Sequence, residues 1–256
     1  MNTFLEGMLE GYAFNTLVII TVVFLLAGAV KGVVGLGLPT ISMALLAVVM
    51  PPAQAAALLI VPSLLTNIWQ MRPMRDLPTL LRRIGLMQAG IFVGTLAGAV
   101  LFGAPAGATA AVALGVALIL YACWGLSGRQ VQFSPATQVW LGPLTGLITG
   151  LITAATGVFV VPAVPYLQAL SLSRDSLIQA MGVSFTVSTL ALALGLWINH
   201  SYSHDAAGLS LIMLMPALIG MNLGMRIRQR MPLATFRKVF FISLIVLGGY
   251  QILTAG

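Results

Sequence analysis

A single lysine stands inside a long apolar stretch and is followed by closely spaced glycines. The segment "KGVVGLGLPT" runs from Lys31 to Thr40, and Lys31 carries the only charge in the surrounding apolar run. Gly35 and Gly37 lack a Cβ, so the backbone can turn sharply there and a ligand can approach it closely. Pro39 suits the first turn of a new helix, and the free N–H groups of such a turn attract anions. The segment therefore predicts an interrupted helix that could bind an anion beside a cation.

A second interruption with a similar pattern occurs in the other half of the chain. The segment "TAATGVFVVP" runs from Thr153 to Pro162 and contains Gly157 before its closing proline. Two helix ends that face each other, one starting at Pro39 and one at Pro162, would form an anion site without a buried salt bridge. Hydroxyl groups near the two interruptions could add donors, and they belong to Thr40, Ser42, Thr153 and Thr156.

Both interruptions also have a plainer explanation, which the sequence leaves open. Small residues such as glycine often serve only to let membrane helices pack closely. Lys31 could likewise extend to the membrane surface and anchor its helix there, instead of attracting an anion.

Other polar residues lie inside apolar segments and could contact the same ligand. In "VPSLLTNIWQ", from Val61 to Gln70, four polar residues recur at spacings of three and four, so they share one helical face. They could bind a ligand or form hydrogen bonds between helices, and the sequence does not decide between these roles. We predict that the anion site is lined by Lys31, Gly35, Gly37, Pro39, Thr40, Ser42, Ser63, Thr66, Asn67, Gln70, Thr153, Thr156, Gly157, Pro162, Gln179 and Ser184.

The composition indicates which elements position these residues. Of the 256 residues, 59% are hydrophobic and 7% are charged, whereas a soluble domain carries ~25% charged residues. Lipid must therefore solvate most of the surface. The net charge of +7 comes mainly from cations in short loops, which the positive-inside rule explains without a nucleic-acid partner.

Eight apolar segments approach the ~20 residues that a membrane-spanning helix needs. Two shorter segments, 39–50 and 162–172, begin at the two prolines of the interruptions. The long segments are 13–30, 53–71, 84–102, 105–124, 136–152, 176–197, 207–222 and 238–254.

The distribution of arginine predicts the orientation of these segments. Segment 72–83 holds four arginines and segment 226–238 holds five cations, whereas 198–206 holds no lysine or arginine. The first two are therefore expected in the cytoplasm and the third outside. On this scheme the N-terminus, with Glu6 and Glu10, lies in the periplasm.

The two halves of the chain resemble each other in the order of long and short segments. A shift of 123 residues places Pro39 on Pro162 and Thr66 on Thr189. Loops that correspond in the two halves carry opposite charge patterns, as an inverted repeat would produce. We therefore predict an all-α polytopic membrane protein with a single integral membrane domain. It would consist of two inverted-topology repeats, 1–125 and 126–256, each with about five segments and one short broken or re-entrant helix.

Features that other activities require are missing from the apolar segments. All five acidic residues lie at segment ends, so these segments lack the buried carboxylate of a usual proton or cation pathway. The sequence contains no P-loop and no intramembrane set of nucleophile, base and acid, so we predict that the protein is not an enzyme. His200 and His204 alone make a poor metal site, and we predict no cofactor.

Three stretches together resemble the sulfite exporter TauE/SafE family of membrane permeases. They are "AGAVKGVVGLGLPTIS", "PPAQAAALLIVPSLLTNIWQ" and the C-terminal "GMNLGMRIRQRMPLATFRKVFFISLIVLGGY". The order and spacing of all three carry the resemblance, which covers nearly the whole chain. It implies a polytopic inner-membrane transporter for small anions, often sulfur oxyanions or organosulfonates.

Residues and resemblance together predict a secondary transporter that exports a small anion, such as sulfite or an organosulfonate, across the bacterial inner membrane. An anion channel built from the same helix ends is the alternative, and an intramembrane protein without transport activity is a third. The expected partners are a small anionic substrate and the lipid bilayer. Whether copies of the chain form a homo-oligomer stays open.

Overall fold

The structure is a computed structural model, which describes residues 13–72, 76–129, 131–230 and 233–255, with the backbone alone at His204 and Leu233. Within these ranges the chain folds into ten helices and no strand. Glu6, Glu10 and Arg75 lie outside the described residues. The helices are α1 (Phe14–Val34), α2 (Leu38–Leu46), α3 (Pro52–Gln70), α4 (Leu77–Phe102), α5 (Gly107–Ser127), α6 (Pro135–Thr156), α7 (Ala163–Ala169), α8 (Arg174–Ile198), α9 (His204–Arg228) and α10 (Leu233–Thr254).

Eight of these described helices are long and apolar enough to cross a membrane, which confirms the predicted all-α multi-pass class. The other two, α2 and α7, have nine and seven residues and begin close to the predicted prolines. Several long helices extend beyond the predicted apolar segments. Helix α4, for example, begins at Leu77 instead of residue 84, because Leu80 in this added part is buried against the bundle.

Glycines bring two pairs of helices into close contact. Helix α1 packs along α9, and helix α4 packs along α6. A Cβ at Gly28 of α1 would lie 2.1 Å from the carbonyl oxygen of Ala217, and a Cβ at Gly146 of α6 would lie 2.1 Å from that of Met87. Small residues allow membrane helices to approach this closely. Glycine is therefore needed for close packing at Gly28 and Gly146, which lie outside the two interruptions.

The remaining long helices fill the centre and one flank of the bundle. Helices α3 and α8 pack on each other, and they also contact α9 and α4, respectively. Helix α5 packs along α10. The short helices join this arrangement through their neighbours, since α2 contacts α1 and α3 while α7 contacts α6 and α8.

The arginine-containing connections meet at one end of the bundle. Arg83 donates a hydrogen bond to the carbonyl oxygen of Leu170. Arg129 and Arg237 line a cavity that also includes Ala169 and Ser171, the neighbours of Leu170 in the chain. We call this the arginine-rich end. At the other end Asn199 donates to the carbonyl oxygen of Ala99 at 2.9 Å. Segment 198–206 is thus separated from the cation-rich segments by the length of the bundle.

Candidate functional site

The first interruption has the geometry that its glycines predict. Helix α1 ends at Val34, and the N–H of Gly35 donates to the carbonyl oxygen of Lys31 at 2.8 Å. The backbone dihedral φ is 76° at Gly35 and 115° at Gly37. Residues with a Cβ rarely adopt such values, so glycine is needed at both positions. Helix α2 then starts at Leu38 with Pro39 in its first turn.

The second interruption has the same type of helix end. Helix α6 ends at Thr156, Gly157 has a φ of 69°, and its N–H donates to the carbonyl oxygen of Thr153 at 2.8 Å. Pro162 follows a cis peptide bond and precedes the first residue of α7. A Cβ at Gly157 would lie 2.9 Å from the sulfur of Met43 in α2. The second interruption therefore packs against α2, the short helix that follows the first interruption.

The threonines of the second interruption use their hydroxyl protons within their own segment. Thr153 donates to the carbonyl oxygen of Thr149 at 2.7 Å, and Thr156 donates to that of Ile152 at 2.6 Å. The oxygen of Thr156 also accepts from the N–H of Val158 at 3.1 Å. These side chains shape the end of α6, whereas the sequence suggested that they could donate to an anion.

Lys31 is buried between α1 and α3. Its side chain is only 4% exposed, so it does not reach the membrane surface as an anchoring lysine would. The ammonium group donates to the hydroxyl of Thr66 at 3.0 Å and to the side-chain oxygen of Asn67. The hydroxyl of Thr66 in turn donates a hydrogen bond to the carbonyl oxygen of Pro62 at 2.6 Å. Lys31 is thus held in place by neutral groups.

No negative charge compensates Lys31 in the part of the chain that the structure describes. The described acids are Asp76, which precedes α4, and Asp175 and Asp205, which lie in the first turns of α8 and α9. Both partners of Lys31 are neutral. A buried charge without a counter-charge is destabilising by several kcal/mol, about what insertion scales assign to a lysine in a membrane helix. A bound anion would remove most of this penalty.

Four hydrogen-bond donors on the two neighbouring helices are buried and have no partner among the described residues. On α3 they are the hydroxyl of Ser63 and the amide nitrogen of Asn67, and on α2 they are the hydroxyls of Thr40 and Ser42. Lysine can only donate, so the oxygen of Asn67 must face Lys31 and its NH₂ group stays free. Each such buried donor left unpaired is destabilising by about 1–3 kcal/mol. Asn67, whose side-chain oxygen accepts from the ammonium group, and Ser63, one turn before it on α3, give Lys31 a donor-rich environment that suits an oxyanion.

Three other predicted site residues connect helices around this group. Gln70 donates to the carbonyl oxygens of Gly35 and Ile178, both at 3.1 Å, and so ties the first interruption to α8. Gln179 donates to the carbonyl oxygen of Met71 at 2.8 Å. Ser184 accepts from Gln88 of α4 at 3.0 Å. Gln70, Gln179 and Ser184 thus form hydrogen bonds that connect neighbouring segments of the bundle.

Ser210 on α9, which the sequence did not single out, supports α3, the helix that carries Ser63 and Asn67. Pro62 lies inside α3 and has no N–H for the carbonyl oxygen of Leu58. The hydroxyl of Ser210 on α9 donates to this oxygen at 2.7 Å and accepts from the N–H of Val61 at 3.1 Å. The proline inside an apolar helix was a visible signal that some neighbour must supply a donor. The sequence alone could not show which neighbour.

In the part of the chain that the structure describes, eight membrane-length helices and two short helices at glycine interruptions define the class of a multi-pass membrane protein. The chain belongs to the sulfite exporter TauE/SafE family, whose model matches residues 20–250. This match confirms the resemblance seen in the sequence and shows that the protein is a membrane transporter. No curated protein and no solved structure gives a significant match to the chain.

Proposed function

We propose that the protein is a secondary transporter that exports a small anion, such as sulfite or an organosulfonate, and binds it at Lys31. The observation that carries this proposal is the buried ammonium group of Lys31, which faces neutral partners and lies beside unpaired donors of α3. An anion at this place would pair with the charge and accept hydrogen bonds from Ser63 and Asn67. The donors of Thr40 and Ser42 on α2 extend the same chemistry.

The enclosure of these groups favours a carrier over a channel. Thr40, Ser42, Ser63 and Asn67 are each 0% exposed, and Lys31 is nearly so. A channel needs a continuous aqueous path, whereas a carrier alternates between states in which the site is open to one side only. A site closed to solvent is a state that a carrier passes through.

We also propose that the two halves, 1–125 and 126–256, are inverted repeats. Support comes from the packing, because α1 with α9 corresponds to α6 with α4, and α3 with α9 corresponds to α8 with α4. The corresponding helix ends at Gly35 and Gly157 carry the same 2.8 Å N–H hydrogen bond. On this proposal the short helices α2 and α7 are the broken helices of the two repeats.

The orientation in the membrane is part of the proposal. The described cations of 72–83 and 226–238 lie at the arginine-rich end, so the positive-inside rule places this end in the cytoplasm of the bacterial inner membrane. The N-terminus would then be periplasmic. The partners proposed for the protein are the small anion and the lipid bilayer, and the chain itself needs no cofactor.

Anion flux into proteoliposomes tests the role of Lys31. Labelled sulfite and a labelled sulfonate are followed in the wild type, in Lys31→Met and in Lys238→Met, whose lysine is exposed at the arginine-rich end. We expect Lys31→Met to reduce the flux at low substrate concentration by about a hundredfold, because it removes a buried charged contact. Lys238→Met should stay within about twofold of the wild type, since exposed charges contribute little.

Saturation and counterflow distinguish a carrier from a channel in the same vesicles. A carrier saturates, and unlabelled substrate on the far side accelerates uptake of the label. If Lys31→Met remains folded and transports at the wild-type rate, the site is not at Lys31. If flux rises linearly with concentration and shows no counterflow, the protein is a channel.

A further inference from the structure

Two adjoining cavities open at the arginine-rich end, among the end of α5, the start of α10 and the segment after α7. The larger has a volume of about 450 Å³ and the smaller about 150 Å³. Arg237, Tyr121 and Phe241 line both, so the two cavities adjoin, and we call them together the arginine vestibule. The arginines that line it are Arg129, Arg174, Arg228 and Arg237.

The vestibule concentrates positive charge without a compensating acid. No aspartate or glutamate occurs among the described residues that line either cavity. Arginine remains charged at any physiological pH. A concave surface with charges of one sign focuses the electric field and raises the local concentration of the opposite ion. The space therefore favours anions over neutral solutes and cations.

The inner wall of the vestibule belongs to the first interruption. Val33, Val34 and Leu36 line the smaller cavity. The N–H of Gly35, which lies between Val34 and Leu36, donates to the carbonyl oxygen of Lys31 the hydrogen bond that ends α1. An anion in the vestibule is thus separated from the Lys31 site by this short segment of backbone and by Gln70, which ties Gly35 to α8.

Among the described residues, Arg237 is the one arginine that belongs to both cavities. It lines both cavities, and its guanidinium carbon lies 6.0 Å from the centre of the Phe241 ring. The aromatic face restricts the side chain while the planar guanidinium keeps donors for an oxyanion, which it can hold through two parallel hydrogen bonds. The ring of Phe241 and that of Trp124 offer apolar surface to the carbon part of a sulfonate.

We propose that the arginine vestibule is a second anion-binding site, which holds a sulfur oxyanion or sulfonate at Arg237 before the anion reaches Lys31. This inference rests on the proposed transport function. Charge placement by the positive-inside rule alone would require cations at this end of the bundle, but it would not require them to line one cavity next to the interruption. Lys238, the neighbour of Arg237, is exposed and lines neither cavity.

Uptake by inverted membrane vesicles tests this site, because the cytoplasmic end then faces the medium. The initial rate is measured against sulfite concentration for the wild type, Arg237→Gln, Arg237→Lys and Lys238→Gln. We expect Arg237→Gln to raise the half-saturating concentration about tenfold, with a maximal rate within about twofold of the wild type. The half-saturating concentration of Arg237→Lys should lie between those of the wild type and Arg237→Gln, and that of Lys238→Gln should match the wild type. An unchanged half-saturating concentration in Arg237→Gln, or an equal increase in Lys238→Gln, would overturn the inference.

Equilibrium binding separates this inference from the proposed transport function. Sulfite binding is measured with purified Lys31→Met, in which the vestibule is intact, and with the double variant Lys31→Met/Arg237→Gln. We expect weak, salt-sensitive binding to the single variant and none to the double variant. No binding to the single variant would overturn the vestibule site but would leave the role of Lys31 intact. Full transport by Lys31→Met would instead contradict the proposed function.

The headgroup of an anionic lipid carries the same chemistry as a free oxyanion. Vesicles of different lipid composition therefore show whether the vestibule binds a soluble anion or a lipid headgroup. The Arg237→Gln comparison is repeated in vesicles of phosphatidylcholine alone and with phosphatidylglycerol added. We expect the same tenfold effect in both if a soluble anion is bound. If the effect appears only with phosphatidylglycerol, the vestibule holds lipid and the inference is wrong.

Discussion

At the scale of single residues, the two interruptions differ in the residue that accepts the helix-ending hydrogen bond, which is charged only in the first. The helix-ending hydrogen bonds of Gly35 and Gly157 are the same, but one is accepted at Lys31 and the other at Thr153. Thr153 satisfies its own hydroxyl within α6, whereas Lys31 relies on neutral groups of α3. The proposed anion site is therefore built mainly from the first half of the chain.

Thermal unfolding of purified protein in detergent tests whether Lys31 is kept for binding. In the absence of an anion we expect Lys31→Met to be at least as stable as the wild type, because the variant no longer buries an uncompensated charge. Sulfite at about 100 times its dissociation constant for the wild type should stabilise the wild type by about 2.7 kcal/mol and Lys31→Met much less, because only the weaker vestibule site remains in the variant. A variant that is less stable without anion but is stabilised by sulfite as much as the wild type would indicate that Lys31 has only a structural role.

At the scale of helices, Ser210 on α9 supplies the hydrogen bond that Pro62 inside α3 cannot donate. Ser210→Ala leaves the carbonyl oxygen of Leu58 and the N–H of Val61 without their side-chain partner, so we expect a loss of about 1–2 kcal/mol in unfolding free energy. Ser243→Ala is the control, because its hydroxyl bonds only to its own helix at Phe240.

A second substitution in the same pair distinguishes this role from simple packing. In a Pro62→Ala background, residue 62 regains an N–H that can donate to the carbonyl oxygen of Leu58. Ser210→Ala should therefore be less destabilising in that background than in the wild type. Equal losses in the two backgrounds would mean that Ser210 does not compensate for the proline.

Close packing of α1 against α9 depends on glycine at the crossing. A Cβ at Gly224 would lie 2.0 Å from the carbonyl oxygen of Ala29, so Gly224→Ala must push the helices apart. We expect a destabilisation of about 1–3 kcal/mol, as for an overpacked core. Gly85→Ala on α4 is the matched control, since its Cβ would meet nothing within 4 Å. That variant should be stabilised by about 0.5–1 kcal/mol, and comparable losses in both variants would contradict the packing explanation.

At the scale of the whole molecule, the packing places arginines at one end of the bundle, as the proposed orientation requires. Arg83 and Arg237 lie at one end, whereas Asn199 lies at the other. The described residues 76–83 and the segment 198–206, which correspond in the proposed repeat, are thus at opposite ends of the bundle. This placement is what the proposed inverted repeat requires, and it makes the orientation in the membrane testable with two positions.

Cysteine labelling in intact cells tests the orientation. In a Cys123→Ala background, Ser203→Cys should react with a membrane-impermeant reagent added outside, and Thr79→Cys should not, although both side chains are exposed. Permeabilised cells should show labelling of Thr79→Cys, which controls for its reactivity. Labelling of both positions in intact cells would contradict the orientation and the inverted repeat with it.

The sequence by itself determined the class of protein, the number of long helices and the two places where helices are interrupted. These features follow from local chemistry: apolar length, the freedom of glycine and the missing N–H of proline act within a few residues. It also pointed to Lys31, Thr66 and Asn67, because charge and polarity are costly in lipid wherever they occur. Only the tertiary structure decided that Lys31 points into the protein and that Ser210 supports α3. Such outcomes depend on which helices become neighbours, and apolar helix faces resemble one another too closely in sequence to specify a partner.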